Sequence, residues 1–157
     1  MDFPANAAAG HYLNGSLIRL NANASARITR EAIASGAAFD PRWLVRKGRR
    51  IDRRYLRLAL DYRSRRWLNR NNRTPLYWLG SNSSCFRADA LAVNGFDNRF
   101  SYGFEDGDFG NRLENFGLTP RTVRWTAVLL HLWHERPWAR PEVIEGNLQL
   151  VTPKGTG

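Results

Sequence analysis

The chain has 157 residues, 43% of them hydrophobic and 24% charged, with a net charge of +10. That length supports one domain with a core, and no run of about eighteen apolar residues is present to cross a bilayer as a helix. Cys85 stands alone, which excludes an internal disulfide and suits a small buried hydrophobe, and residues 1–10 lack the basic and apolar regions of a secretory leader, so a cytoplasmic protein, soluble or peripheral at the inner face of the membrane, is the expectation.

In chain order, Tyr12 to Leu20 reads as a strand interrupted by Gly15-Ser16, and Asn21 to Ala26 as a polar connection. Ser25 or Thr29 caps a short helix through Ile33 that Gly36 stops, after which Phe39-Asp40-Pro41 demands an extended or turned backbone. Residues 42–73 hold thirteen Lys or Arg against only Asp52 and Asp61, so the whole basic excess of the chain lies there. Within that segment Ile51, Tyr55, Leu58 and Tyr62 recur at helical spacing and predict an amphipathic basic helix over roughly 49–69. Three readings stay open for it: a solvated face over a core stripe, adhesion to an anionic membrane surface, or, least favoured, phosphate contacts with nucleic acid.

Residues 69–75 form a breaker-rich loop, Leu76–Leu79 a short strand, and Gly80-Ser81-Asn82 a turn. Ala88–Val93 is a short helix ended by Asn94-Gly95. A helix runs from about Asp106 to Phe116, closed by Gly117, and is followed by a strand-like run from Arg121 to Leu130. The expected domain covers residues 1–150, with a loose tail at 151–157.

Glu105, Asp106 and Asp108 crowd three carboxylates into four positions at the start of that helix. They suit a helix N-terminus, where acids offset the macrodipole, and equally a site for proton transfer, metal or a hydroxylated ligand. Downstream, His131 and His134 sit in His131-Leu132-Trp133-His134-Glu135-Arg136-Pro137, either as a polar edge or as imidazole ligands. Trp133 and Trp138 are candidates for an apolar wall against a sugar face, and His11, without such company, reads as structural.

Taken together, these segments resemble a known family. Gly80-Ser81-Asn82-Ser83-Ser84-Cys85-Phe86-Arg87, then Val93-Asn94-Gly95-Phe96-Asp97, then Glu105-Asp106-Gly107-Asp108 running to Arg112-Leu113, then a late histidine, follow the order found in family 2 glycosyltransferases and their galactosyltransferase-like relatives, strongest over 80–134. The resemblance implies an α/β fold, the acceptor-side part of a glycosyltransferase A-type sandwich with a mixed sheet and flanking helices. It implies an inverting transfer of sugar from a nucleotide-sugar donor to a saccharide or glycolipid acceptor, in cell-surface polysaccharide or lipopolysaccharide synthesis. By the same resemblance Asp106 is the catalytic base, and Glu105, Asn82, Gly103 and Trp133 contact substrate. His134, with His131 as alternate, ligates a divalent cation, Mn²⁺ or Mg²⁺.

Residues 1–60 show no D-x-D after a strand, the mark of the nucleotide-binding half in such enzymes. The expectation is therefore an incomplete transferase whose donor half belongs to another segment, a partner chain or a homo-oligomer. A non-catalytic basic module that binds an anionic surface or polymer is the alternative.

Overall fold

One extended segment feeds two sheets. The structure, a computed structural model, describes residues 3–137 and 139–155. The strand expected over 12–20 is divided at Gly15 into β1 (His11–Asn14) and β2 (Ser16–Arg19). β1 lies between β3 (Ser83–Ser84), antiparallel to it, and β4 (Thr119–Thr122), parallel to it. β2 pairs in parallel with β5 (Val128–His131), so the run expected over 121–130 is also two strands, with a turn between them.

The division has a visible cause. Asn82 is buried against the Gly15 backbone: a Cβ on Gly15 would stand 2.6 Å from Asn82 Nδ2 and 2.7 Å from its carbonyl oxygen. The Gly15 amide donates to Asn82 O at 2.8 Å, while Asn82 Nδ2 donates to Ser16 O at 2.7 Å and Ala127 O at 3.0 Å. Only a residue without a side chain lets the loop come so close.

Short helices surround the sheets: α1 (Phe3–Asn6), α2 (Ala22–Ser25), α3 (Arg30–Ala34) and α4 (Pro41–Arg46). Thr29 caps α3 and Gly36 follows it at φ +77°, as the sequence predicts. Asn21 caps α2, so the segment expected as a polar connection is a helical turn. Asp40 is extended, as its place before Pro41 predicts, and by accepting from the amides of Arg42 and Trp43 it also starts α4, a helix the sequence reading does not include.

The expected basic helix over 49–69 is not continuous. It is a 3₁₀ turn at Arg53–Tyr55, then α5 (Leu56–Ala59), then α6 (Tyr62–Arg70). Its two acids are the reason. Asp52 takes the amides of Arg54 and Tyr55, Asp61 takes those of Arg63 and Ser64, and Leu60 between them is extended. Each carboxylate starts a new helical segment instead of balancing charge on one long face. Of the predicted apolar stripe, Leu58 packs on the core, whereas Ile51 and Tyr62 are exposed.

Leu76–Leu79 is no strand. Side chains hold it instead: Asn14 Nδ2 donates to Tyr77 O, and the Leu79 amide donates to Ser83 Oγ. α7 (Arg87–Ala92) precedes Asn94 and Gly95, both left-handed. α8 (Glu105–Asn115) ends where Gly117 adopts φ +102°, with the Gly117 amide on Glu114 O and the Leu118 amide on Leu113 O. This is the paired bonding of a Schellman stop, and Leu113 and Leu118 meet in the core as that motif favours. α9 (Pro141–Leu148) closes the set and was not expected.

Tyr12, Trp78, Phe109, Leu113 and Leu118 form the core between α8 and the three-stranded sheet, with Cys85 against it. Ile18, Leu20, Ala24, Leu44 and Val128 form a second core on β2 and β5. Burying each such large side chain contributes about 1.5–3 kcal/mol. Of the tail expected as loose, 151–157, the described part is held: Asn111 Nδ2 donates to Thr152 O, the Thr152 amide to Asp108 Oδ1, and the Gly155 amide to Asn115 Oδ1, which lays 152–155 along α8, while 156–157 lie outside the described residues. The architecture is mixed α/β with a mixed sheet and flanking helices, as the sequence implies.

Candidate functional site

α8 begins under strain. Gly103 and Phe104 are both left-handed, at φ +95° and +70°, and for a residue with a side chain that conformation costs on the order of 1 kcal/mol or more. α9 holds the reversal in place. Asn147, buried, donates through Nδ2 to Tyr102 O and Gly103 O, both at 2.9 Å, and Ile144 lies 3.4 Å from where a Gly103 Cβ would be. Gly103 is thus a backbone requirement of the loop.

This bend sets Glu105 and Asp106 on the first turn of α8, where the free amides and the macrodipole favour anions. Asp106, half-buried, accepts from the Gly80 amide through Oδ2 at 3.2 Å and from the Gly107 amide through Oδ1 at 2.8 Å. A Cβ on Gly80 would stand 3.1 Å from Asp106 Cβ. The Gly80-Ser81-Asn82 turn and the acidic motif, 26 residues apart, are therefore in contact. Glu105 Oε2 is buried and has no hydrogen-bond partner among the described residues.

Asp108 has a different task. Its side chain is 2% exposed, pairs with Arg112 Nε at 2.8 Å and receives the Thr152 amide. Burial alone would push its carboxyl up, but the Thr152 amide and the Arg112 guanidinium outweigh that and hold it below the usual carboxylate range. It joins the tail to α8. Asn82, expected to touch substrate, has both amide hydrogens taken by Ser16 O and Ala127 O in a buried position and joins the two sheets.

The late histidines follow β5. Their rings stack at 5.3 Å and 25°, with Nδ1 of His131 bonded to Leu132 O and Nδ1 of His134 to Glu135 O, each at 2.8 Å. A ring whose Nδ1–H faces a carbonyl presents Nε2 as its lone pair, the usual arrangement of a ligating imidazole. Two imidazoles do not complete a site, however, and among the described residues no three His, Cys, Asp or Glu side chains converge to hold a metal. Trp133 is exposed, its amide donating to Ser25 Oγ at 2.7 Å, and Trp138 lies outside the described residues.

Residues 69–135 match the family model described as the N-terminal domain of galactosyltransferase. The matched span takes in the Gly80 turn, α7, the acidic motif and both histidines, which is consistent with a partial glycosyltransferase domain, and the mixed α/β architecture fits a partial glycosyltransferase A-type fold. No curated protein and no solved structure matches the chain.

The galactosyltransferase-like segment leans on residues that sequence reasoning passed over. Asn147 and Ile144 lie beyond the matched span, yet they fix the loop before Glu105. Pro141, a favoured first residue of a helix, was the available signal for α9. Arg112, whose guanidinium bonds both Asp108 and Val93 O, ties α8 to the end of α7. The i,i+4 spacing of Asp108 and Arg112 on the expected helix signals the first of these bonds, and only the fold reveals the second.

Proposed function

We propose that this chain is the acceptor-side part of an inverting glycosyltransferase, which moves a sugar from a nucleotide-sugar donor to a saccharide or glycolipid acceptor in the synthesis of cell-surface polysaccharide or lipopolysaccharide. The contact of the Gly80 amide with the Asp106 carboxylate carries the reading, because it brings two separated motifs of a glycosyltransferase-like segment to one point. Asp106 takes the proton of the acceptor hydroxyl as that oxygen bonds to the anomeric carbon. The bond from that carbon to the diphosphate breaks, and its electron pair leaves with the diphosphate. Glu105, beside Asp106 on the first turn of α8, accepts a second acceptor hydroxyl.

A divalent cation, Mn²⁺ or Mg²⁺, would neutralise the departing diphosphate, with His134 and then His131 offering Nε2 and the remaining ligands coming from outside this chain's described residues. A donor-binding unit, as a partner chain or through self-association, completes the enzyme. The test is transfer of label from nucleotide sugars to saccharide acceptors with Mn²⁺ present. Asp106→Asn should lower turnover by about 10²–10⁴-fold. With the donor-binding unit supplied, turnover of the variant within twofold of the native chain would refute the assignment, and absence of transfer to every acceptor would refute the activity.

A second reading has its own support. Ile51, Leu56, Tyr62 and Trp67 are exposed among the arginines of residues 42–73, a mixture suited to adhesion at an anionic membrane face.

A further inference from the structure

A second feature lies one residue from the Gly80 contact. Ser16, Leu17, Arg19, Arg54, Arg57, Tyr77, Leu79 and Arg124 line a cavity of about 90 Å³. Four arginines converge there and no acid lines it. The nearby carboxylate, Asp52, is taken up by Arg49 at 2.8 Å and by the amides of Arg54 and Tyr55.

The arginines are held in this crowd. Arg124 sits in the turn between β4 and β5, its carbonyl accepting from Ser16 Oγ at 2.6 Å, and its buried Nε has no hydrogen-bond partner among the described residues. The Arg57 guanidinium lies 5.9 Å over the Trp125 ring, and Arg57 O accepts from Arg65 at 3.3 Å. Burial first, then the charges of Arg124 and Arg54, pull Arg57 below its usual basicity, and the opposing charge of Asp52 offsets this only in part.

From the convergence of Arg19, Arg54, Arg57 and Arg124 on an acid-free cleft beside Leu79, with a buried donor left over, we infer that the cleft binds a diphosphate ester. Guanidinium groups match phosphate oxygens in bidentate fashion, and four of them neutralise a diphosphate. This rests on the proposed transfer, in which a diphosphate departs near Asp106. Two sources carry that group, the nucleotide of the donor and the isoprenoid diphosphate of a lipid-linked acceptor.

Calorimetry with inorganic diphosphate in about 0.15 M salt tests the cleft without requiring catalysis. One site per chain is expected, weakened at least about tenfold in Arg124→Gln, Arg57→Gln and the exposed Arg54→Gln, and unchanged in Arg66→Gln, on α6 and outside the cleft. Without ligand, Arg57→Gln should melt at a higher temperature than the native chain, because it relieves repulsion, whereas a residue kept for structure would give the opposite. Competition by uridine or guanosine diphosphate assigns the cleft to the donor, and competition by farnesyl diphosphate assigns it to a lipid-linked acceptor. Failure of all of these to compete, equal weakening in Arg66→Gln, or absence of saturable binding overturns the proposal. Asp106→Asn should bind diphosphate as the native chain does, so that loss of transfer with binding intact separates the cleft from the catalytic reading.

Discussion

Gly110, in the middle of α8, decides between two opposing effects when it is changed to alanine. Alanine in place of a helical glycine favours the helix by up to about 1 kcal/mol. Against this, the new Cβ would lie 2.6 Å from Trp78 Cβ, 3.2 Å from the Trp78 amide nitrogen and 3.5 Å from its Cα, where carbons prefer about 3.5–4.0 Å. Trp78 must retreat by roughly 1 Å, and the contact is to backbone as well as side chain, so rotation cannot relieve it. Its ring meets Phe109 edge-on at 4.8 Å and Tyr12 at 5.6 Å, so the displacement spreads into the core. Overpacking of this kind costs about 1–3 kcal/mol, and the backbone contact argues for the upper end. The clash wins, leaving Gly110→Ala less stable by about 1–2 kcal/mol. Gly107, in the same helix, has nothing within 4 Å of its added Cβ, so Gly107→Ala should stabilise by about 0.5–1 kcal/mol. Urea unfolding, read as midpoints at unchanged slope, measures both. A Gly110→Ala protein as stable as Gly107→Ala would refute the packing of α8 on Trp78.

Asp108→Asn should cost about 1.5–3 kcal/mol at pH 7, since a buried charged bond to Arg112 is lost. Because the carboxyl is held low when folded, its contribution is present above the unfolded value near 4 and vanishes as pH falls through the folded value, so melts of the native chain should decline below about pH 4–5 while those of the variant decline less. Asn82→Ala removes the Nδ2 bond to Ser16 O and one of the two bonds to Ala127 O and should destabilise by about 1–3 kcal/mol; a loss of acceptor affinity at unchanged melting temperature would restore its substrate role. His134→Ala should raise the metal concentration needed for transfer more than His131→Ala does, and the reverse order would exchange their roles. Changing Arg50, Arg53 and Arg63 to Gln should reduce binding to anionic vesicles if the membrane reading holds, and binding that persists in about 1 M salt would refute an electrostatic basis.

Where local chemistry governs, the sequence was readable. Thr29, Gly36, Asn94-Gly95 and Gly117 each mark a helix end with a residue suited to the cap or the left-handed turn, and each functions so. The errors came where one residue serves a distant partner. Asp52 and Asp61 counted as charges in a basic stripe, but as caps they divide it. Gly15 looked like a flaw in a strand, yet Asn82, 67 positions on, makes it the point where the chain leaves one sheet for the other. For the site, the motifs located Glu105 and Asp106 correctly at the head of a helix, and the Gly80 contact was implied only by their order. The arginine cleft draws on β2, the segment around α5, and the β4–β5 turn, and no window of sequence contains it.

The parallel pairings of β1 with β4 and of β2 with β5 impose a delay on biosynthesis. His11 waits for Thr119 and Ser16 for Val128, so more than a hundred residues must be made before either strand finds its parallel partner. At about 5–20 residues per second the segment Tyr12-Leu13-Asn14-Gly15-Ser16-Leu17-Ile18 stays unpaired on the nascent chain for on the order of ten seconds. Closing such large loops late makes folding slow, and an apolar extended stretch waiting that long is open to other chains on the same message. Yield in cells should therefore depend on translation rate and on chaperones that shield nascent strands more than on the stability of the finished fold.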